Sequence, residues 1–170
     1  MKCKAGQVVV YGCQGVCRME QVAERVVGGK KSSYYLLKPI YNKKSAIFVP
    51  CDNDKLTQKM RPVMTKGEVE NMIDSISTKS GLWLESEPER KERYHEIIVN
   101  GTNDELMDVI IALYNHRLLR SKEGKRLHVA DERVFKEAGR LIYEQIAYVL
   151  NILPDDVPDY ISKRVSAITV

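Results

Sequence analysis

Apolar and polar residues alternate with a period near two over the first 65 positions and with a period near 3.6 after Met64, so strands come first and helices follow. Val8-Val9-Val10-Tyr11 is a run of strand formers, broken by turn residues at 12–15 and resumed at Val16. Cys17-Arg18-Met19-Glu20 alternates as a half-buried strand does. Gly28-Gly29 predicts a hairpin turn between arms at residues 23–27 and 33–38, the second of which holds Tyr34-Tyr35-Leu36-Leu37. Asn42-Lys43-Lys44 predicts another turn, and Ala46-Ile47-Phe48-Val49 a fourth strand stopped by Pro50. Arg61-Pro62-Val63-Met64 predicts a short edge strand, where proline is tolerated. Five short strands within about 60 residues predict a small barrel of the SH3-like or Tudor-like kind.

Thr65-Lys66-Gly67-Glu68 has the spacing of a capping box, and Val69, Met72, Ile73 and Ile76 follow on one helical face. Residues 77–87 are polar apart from Leu82-Trp83-Leu84, and Pro88 then suits the first turn of a charged helix that stops at Asn100-Gly101. Thr102-Asn103-Asp104-Glu105 is a second capping box, opening a helix with Leu106, Val109, Ile110 and Leu113 as its core stripe. A basic turn at 120–126 leads to the longest helix, about 130–151, with Val134, Ala138, Leu141, Ile142 and Val149 along one side and Pro154 beyond its end. Asp156-Val157-Pro158 predicts a last short helix to about Val165. The fold class is therefore α+β, a small β-barrel followed by an all-α helical bundle.

Charge sharpens that division. Residues 1–65 carry 12 Lys and Arg against 4 Asp and Glu, whereas residues 66–170 carry 15 against 19. A basic module followed by an acidic one predicts two domains, 1–65 and 66–170, and brings nucleic acid or an acidic protein partner into consideration beside a merely uneven surface. The longest apolar run is the six residues 109–114, far short of the roughly 20 a membrane helix needs, and no secretory core is present, so a cytoplasmic protein is expected. Cys3, Cys13, Cys17 and Cys51 include no paired C-x-x-C, and no histidine precedes His95, so neither a zinc site nor a disulfide framework is expected. No phosphate loop, dinucleotide fingerprint, zinc-protease motif or nucleophile elbow occurs, and no enzyme activity or cofactor is expected. His95, His116 and His128 read as ordinary helix-borne side chains.

Three segments hold binding chemistry. Arg25-Val26-Val27 lies in the arm before Gly28-Gly29; an exposed edge there can pair with another protein's strand, or the arm can close within its own barrel. Trp83, the only tryptophan, sits between leucines in a polar connector, with Arg90, Lys91 and Arg93 close behind it. It either pins the connector to the core or acts as an apolar wedge at a DNA base step while the cations hold phosphates. Arg117, Arg120, Lys122, Lys125 and Arg126 form a second basic group, readable as phosphate contacts or as the solvated end of a helix.

The ordered series Gly6-Gln7-Val8-Val9-Val10-Tyr11 with Gly15-Val16, Tyr34-Tyr35-Leu36-Leu37, Ile47-Phe48-Val49-Pro50 and Arg61-Pro62-Val63 resembles the CarD/CdnL group of bacterial transcription regulators. Its N-terminal domain is also similar to the polymerase-interacting module of transcription-repair coupling factor. Trp83, then 89–94, Asn100-Gly101 and Asp131-Glu132-Arg133 at the head of the long helix, continue the resemblance to about Ile152. Gln7 replaces the usual acid, Gly12 the usual proline, and His128 a frequent capping serine.

The resemblance implies a monomeric, nucleoid-associated factor whose N-terminal domain docks on the RNA polymerase β subunit through Arg25, Val26, Val27 and Phe48. Phe48 stands where some members are basic, so no charge contact is implied there. It further implies that the helical domain meets promoter DNA at the upstream edge of the bubble, with Trp83 in the minor groove and Arg90, Lys91 and Arg93 on the phosphate backbone, without reading sequence. Open promoter complex would thereby be favoured. The competing reading is an adaptor with an SH3-like barrel that binds another protein or RNA.

Overall fold

The computed structural model describes residues 4–42 and 44–168, the side chains of Val27 and Ile168 excepted. It divides into two compact units, Met1–Val63 and Met64–Val170. The first is an antiparallel sheet of five strands, β1 (Val8–Tyr11), β2 (Val16–Val27), β3 (Lys30–Pro39), β4 (Ile47–Pro50) and β5 (Met60–Pro62), in the spatial order β4-β3-β2-β1-β5.

Gly28 and Gly29, both at positive φ, make the two-residue turn between the long arms β2 and β3, a backbone shape that residues with a Cβ rarely adopt. The two arms stay paired from Cys17 opposite Pro39 to Val27 opposite Lys30, with one bulge between Met19 and Gln21. β2 is thus one strand across the region where the sequence pattern breaks into two.

β4 and β5 are the two edges of this sheet, and no pairing joins them, so the expected barrel closure is not formed by the strands described. Both edges nevertheless place a buried residue, Val49 and Met60, in one core with Val9, Cys17, Met19, Tyr35 and Leu37. The sheet curls about that core without closing. A single helical turn, α1 (Asp54–Thr57), absent from the sequence expectation, links β4 to β5; the Asn53 side chain caps it by accepting from the Leu56 N–H at 3.1 Å.

Among the described residues the second unit contains five α-helices, α2 (Lys66–Asp74), α3 (Glu87–Asn100), α4 (Asn103–Lys122), α5 (Val129–Leu150) and α6 (Val157–Ile168). Both capping boxes form: the Thr65 and Thr102 hydroxyls accept from the N–H groups of Glu68 and Glu105, whose carboxylates accept in return from the threonine N–H groups. Val69, Met72, Ile73, Leu106, Val109, Ile110, Leu113, Leu141 and Ile142, read from periodicity as core, are all buried in one cluster. α6 runs past its expected end and is tied to α2 by Arg164, which donates to both oxygens of Asp74 at 2.6 and 2.8 Å. Arg164 holds the Asp74 carboxyl below its ordinary range. Among the described residues no helix is long and apolar enough to cross a membrane.

Ile142 is fully buried where the helices of this unit meet. Ile142→Ala should destabilise the helical unit by about 2–5 kcal/mol through lost transfer energy and the cavity left behind. Denaturant unfolding followed by circular dichroism checks this.

Candidate functional site

In the first unit, β1 pairs with β2 only as far as Arg18, extended by backbone hydrogen bonds between Met19 and the 6–7 segment. From Gln21 to Val27, β2 is bonded to β3 on one side and has no strand on the other among the described residues. That edge carries unpaired main-chain groups, the geometry from which a strand can be added.

Pairing with Ser32 puts Arg25 on the sheet face that Tyr34, Leu36, Phe48 and Pro50 share, all four half-buried. The Arg25 guanidinium lies over the Phe48 ring, 3.6 Å from its centroid, a cation–π contact that orients an otherwise exposed cation. Val26 is 66% exposed on the opposite face. The Val27 side chain lies outside the described residues. The structure therefore brings Arg25 and Phe48 together and turns Val26 away from them.

In the second unit, the connector holding Trp83 is strapped along α4. Lys79 reaches Asp108 at 3.0 Å, and the Leu82 N–H donates to the Asp108 carbonyl at 3.0 Å. Gly81, at φ +79°, approaches α4 so closely that a Cβ there would stand 2.4 Å from the Ala112 nitrogen. From α3 the Tyr94 hydroxyl donates to the Leu82 carbonyl at 2.5 Å. Burial pushes the Tyr94 pKa up to about 12, so this donor keeps its proton across the physiological range.

Arg90 departs from its expected role. It is 4% exposed, and its guanidinium makes a bidentate pair with Asp131 at the start of α5, Nε to Oδ1 at 3.1 Å and Nη2 to Oδ2 at 3.0 Å. Nη1 donates to the Leu84 carbonyl at 2.7 Å, and the guanidinium carbon lies 4.2 Å from the Trp83 ring centroid. A charge so enclosed cannot reach a phosphate. Arg90 is instead the support of the Trp83 segment, in phase with buried Tyr94 and Ile97 on the inner face of α3.

Lys91, next in sequence, is exposed and unpartnered among the described residues. Arg93 is partly exposed but engaged by Glu96 at 2.6 Å and Glu105 at 2.8 Å. Of the three cations expected at a backbone, Lys91 alone is unencumbered.

His116, read from sequence as an ordinary side chain, stacks on Trp83 with ring centroids 3.8 Å apart and planes 19° from parallel. Burial, then Arg120 and Arg90, lower its pKa, with Asp131 and Glu85 opposing. One residue on, Arg117 begins a concavity of about 690 Å³ that Lys125 and Arg126 from the turn share with Arg133 and Lys136 of α5. Arg133 and Lys136 were not part of the basic group read from sequence. Their helical spacing from Val129, i+4 and i+7, was the signal available. Among the described residues no cluster of three or more metal-ligating side chains occurs.

Comparison with protein families matches residues 3–64 to the CarD-like/TRCF RID domain. The sheet unit belongs to that family, a class of transcription-related domains that interact with RNA polymerase. No match to a curated protein is found.

Removing one member of a buried ion pair leaves the other charge uncompensated, so Arg90→Ala should cost about 3–5 kcal/mol of stability. Lys91→Ala, on the surface, should stay within about 0.5 kcal/mol. Chemical denaturation of the full chain distinguishes the two.

Proposed function

We propose that this chain is a non-enzymatic regulator that binds the β subunit of RNA polymerase through the β2 arm and stabilises open promoter complexes through Trp83. The observation carrying the first half is the family match of residues 3–64 together with the unpaired edge of β2 from Gln21 to Val27. Arg25, oriented on Phe48, would add a fixed cation beside the paired edge. With Phe48 aromatic, the second contact is apolar and supports the first arginine rather than adding another charge.

The second half rests on Trp83. A half-buried indole whose neighbours Leu82 and Leu84 are tied by their backbone to two helices is suited to enter a minor-groove step at the upstream edge of the bubble, because insertion then costs little further ordering. Lys91 and the cations from Arg117 to Lys136 would hold backbone phosphates without reading sequence.

The helical half is net acidic, with 15 Lys and Arg against 19 Asp and Glu over 66–170, so its affinity for free DNA should be weak. Docking on polymerase supplies the missing affinity as effective concentration. Such a factor, a monomer in the cytoplasm, would act wherever polymerase opens DNA.

The competing function is an adaptor for another protein or for RNA, to which the open β2 edge is equally suited. Two variants separate these readings. Arg25→Glu should weaken binding to the β-subunit lobe at least tenfold, measured by calorimetry. Trp83→Ala should leave that binding unchanged while shortening the competitor-challenged lifetime of open complexes; unchanged lifetimes would remove the wedge, and absence of polymerase binding by the full chain would leave the adaptor reading in its place.

A further inference from the structure

We infer that His116 is a positioning residue for Trp83: stacked on the indole, it sets the plane of the ring and so which part of it meets DNA. The inference rests on the wedge reading above. The Lys79 ion pair, the close approach at Gly81 and the backbone hydrogen bonds of Leu82 and Leu84 fix where the connector lies, but they leave the two side-chain torsions of Trp83 open. Those torsions are decided by what packs against the ring. The ring packs against the helical core, and over it lie the His116 imidazole at 3.8 Å and the Arg90 guanidinium at 4.2 Å, both carried by helices.

Stacking and cation–π partners both occupy positions over a ring plane. The half-buried indole therefore has its edge, and only such face as these partners leave bare, to offer. An edge suits insertion at a base step of a groove, whereas stacking on an unpaired base requires a bare face. His116 thus favours a wedge at duplex DNA over a platform for single strands.

His116 also differs from a residue that merely fills the core, because its charge can change. The groups around it are Arg120 and Glu123 at the end of its own helix, Arg90 from α3, Asp131 from α5 and Glu85 from the connector. Burial disfavours a charge on His116, and so does the proximity of two cations, Arg120 and Arg90. Because the folded chain takes up this proton less readily than a free histidine at 6.5, the stacked arrangement has its full stability above that value and loses it as pH falls through the lower, folded pKa.

Trp83 is the sole tryptophan, so its emission reports on the stack directly. The experiment compares the full chain with His116→Phe, which keeps a flat ring without a titrating proton, His116→Ala and Trp83→Ala. Emission of the unaltered chain should change with pH, with a midpoint below 6.5, and should lose that transition in both His116 variants. With polymerase and a promoter fragment, His116→Phe should keep the open-complex lifetime, whereas His116→Ala should shorten it severalfold, toward Trp83→Ala, without losing polymerase binding.

Equal shortening by His116→Phe and His116→Ala would overturn the stacking role. A normal lifetime with His116→Ala, while Trp83→Ala shortens it, would overturn positioning and leave the wedge intact. If Trp83→Ala itself changes nothing, the wedge fails and the positioning role falls with it, while the emission titration reports separately whether the stack exists.

Discussion

The bidentate pair between Arg90 and Asp131 is the constraint on which the exposed chemistry of the helical unit depends. Burying a charge is costly, and an ion pair offsets that cost only when its geometry is good and the remaining donors find acceptors. Here Nε and Nη2 meet the two carboxylate oxygens, and Nη1 meets the Leu84 carbonyl. One side chain thereby fastens α3, the start of α5 and the Trp83 connector. Asp131 gains as well, since a carboxylate in the first turn complements the helix dipole, and α5 has no side-chain cap from His128 to serve that end.

The two units use arginine against an aromatic ring in opposite senses. Arg25 is exposed, and Phe48 beneath it limits the directions in which its charge points. Arg90 is enclosed, its charge answered inside the protein, and the ring it touches is the one left partly exposed. In the sheet the aromatic orients the cation, and in the helical unit the cation helps to orient the aromatic. Burial decides which partner is available to a ligand.

What was legible in the sequence was local. The capping boxes at Thr65 and Thr102, the Gly28-Gly29 turn and the core stripe of α4 each depend on residues within a few positions of one another, and each forms. What was not legible depends on distant partners. Charge alone does not distinguish Arg90 from Lys91; the difference is helical phase, since Arg90 lies i−4 and i−7 from Tyr94 and Ile97, and its partner is Asp131, 41 positions away. The Trp83 to His116 stack likewise spans 33 residues, with Gly81 as its one local sign, a glycine where the connector must touch helix backbone. α1 escaped because a single turn supplies too few residues to show a period, and the open edges of the sheet escaped because strand count does not determine closure.

The bulge between Met19 and Gln21 shifts the phase of the β2 arm. Before it, Met19 pairs with Leu37 on the buried face; after it, Gln21 pairs with Leu36, and Arg25 with Ser32, on the other. Had the pairing continued without the extra residue, Arg25 would project from the same face as Met19, and Val22 and Val26 would take its place beside Phe48. One position outside the ladder thus decides whether the face that holds Phe48 carries a cation or two valines, and the choice is made without altering a residue of the core. In a fold wired in this way, the gain or loss of a single codon is enough to exchange the chemical character of one sheet face for that of the other.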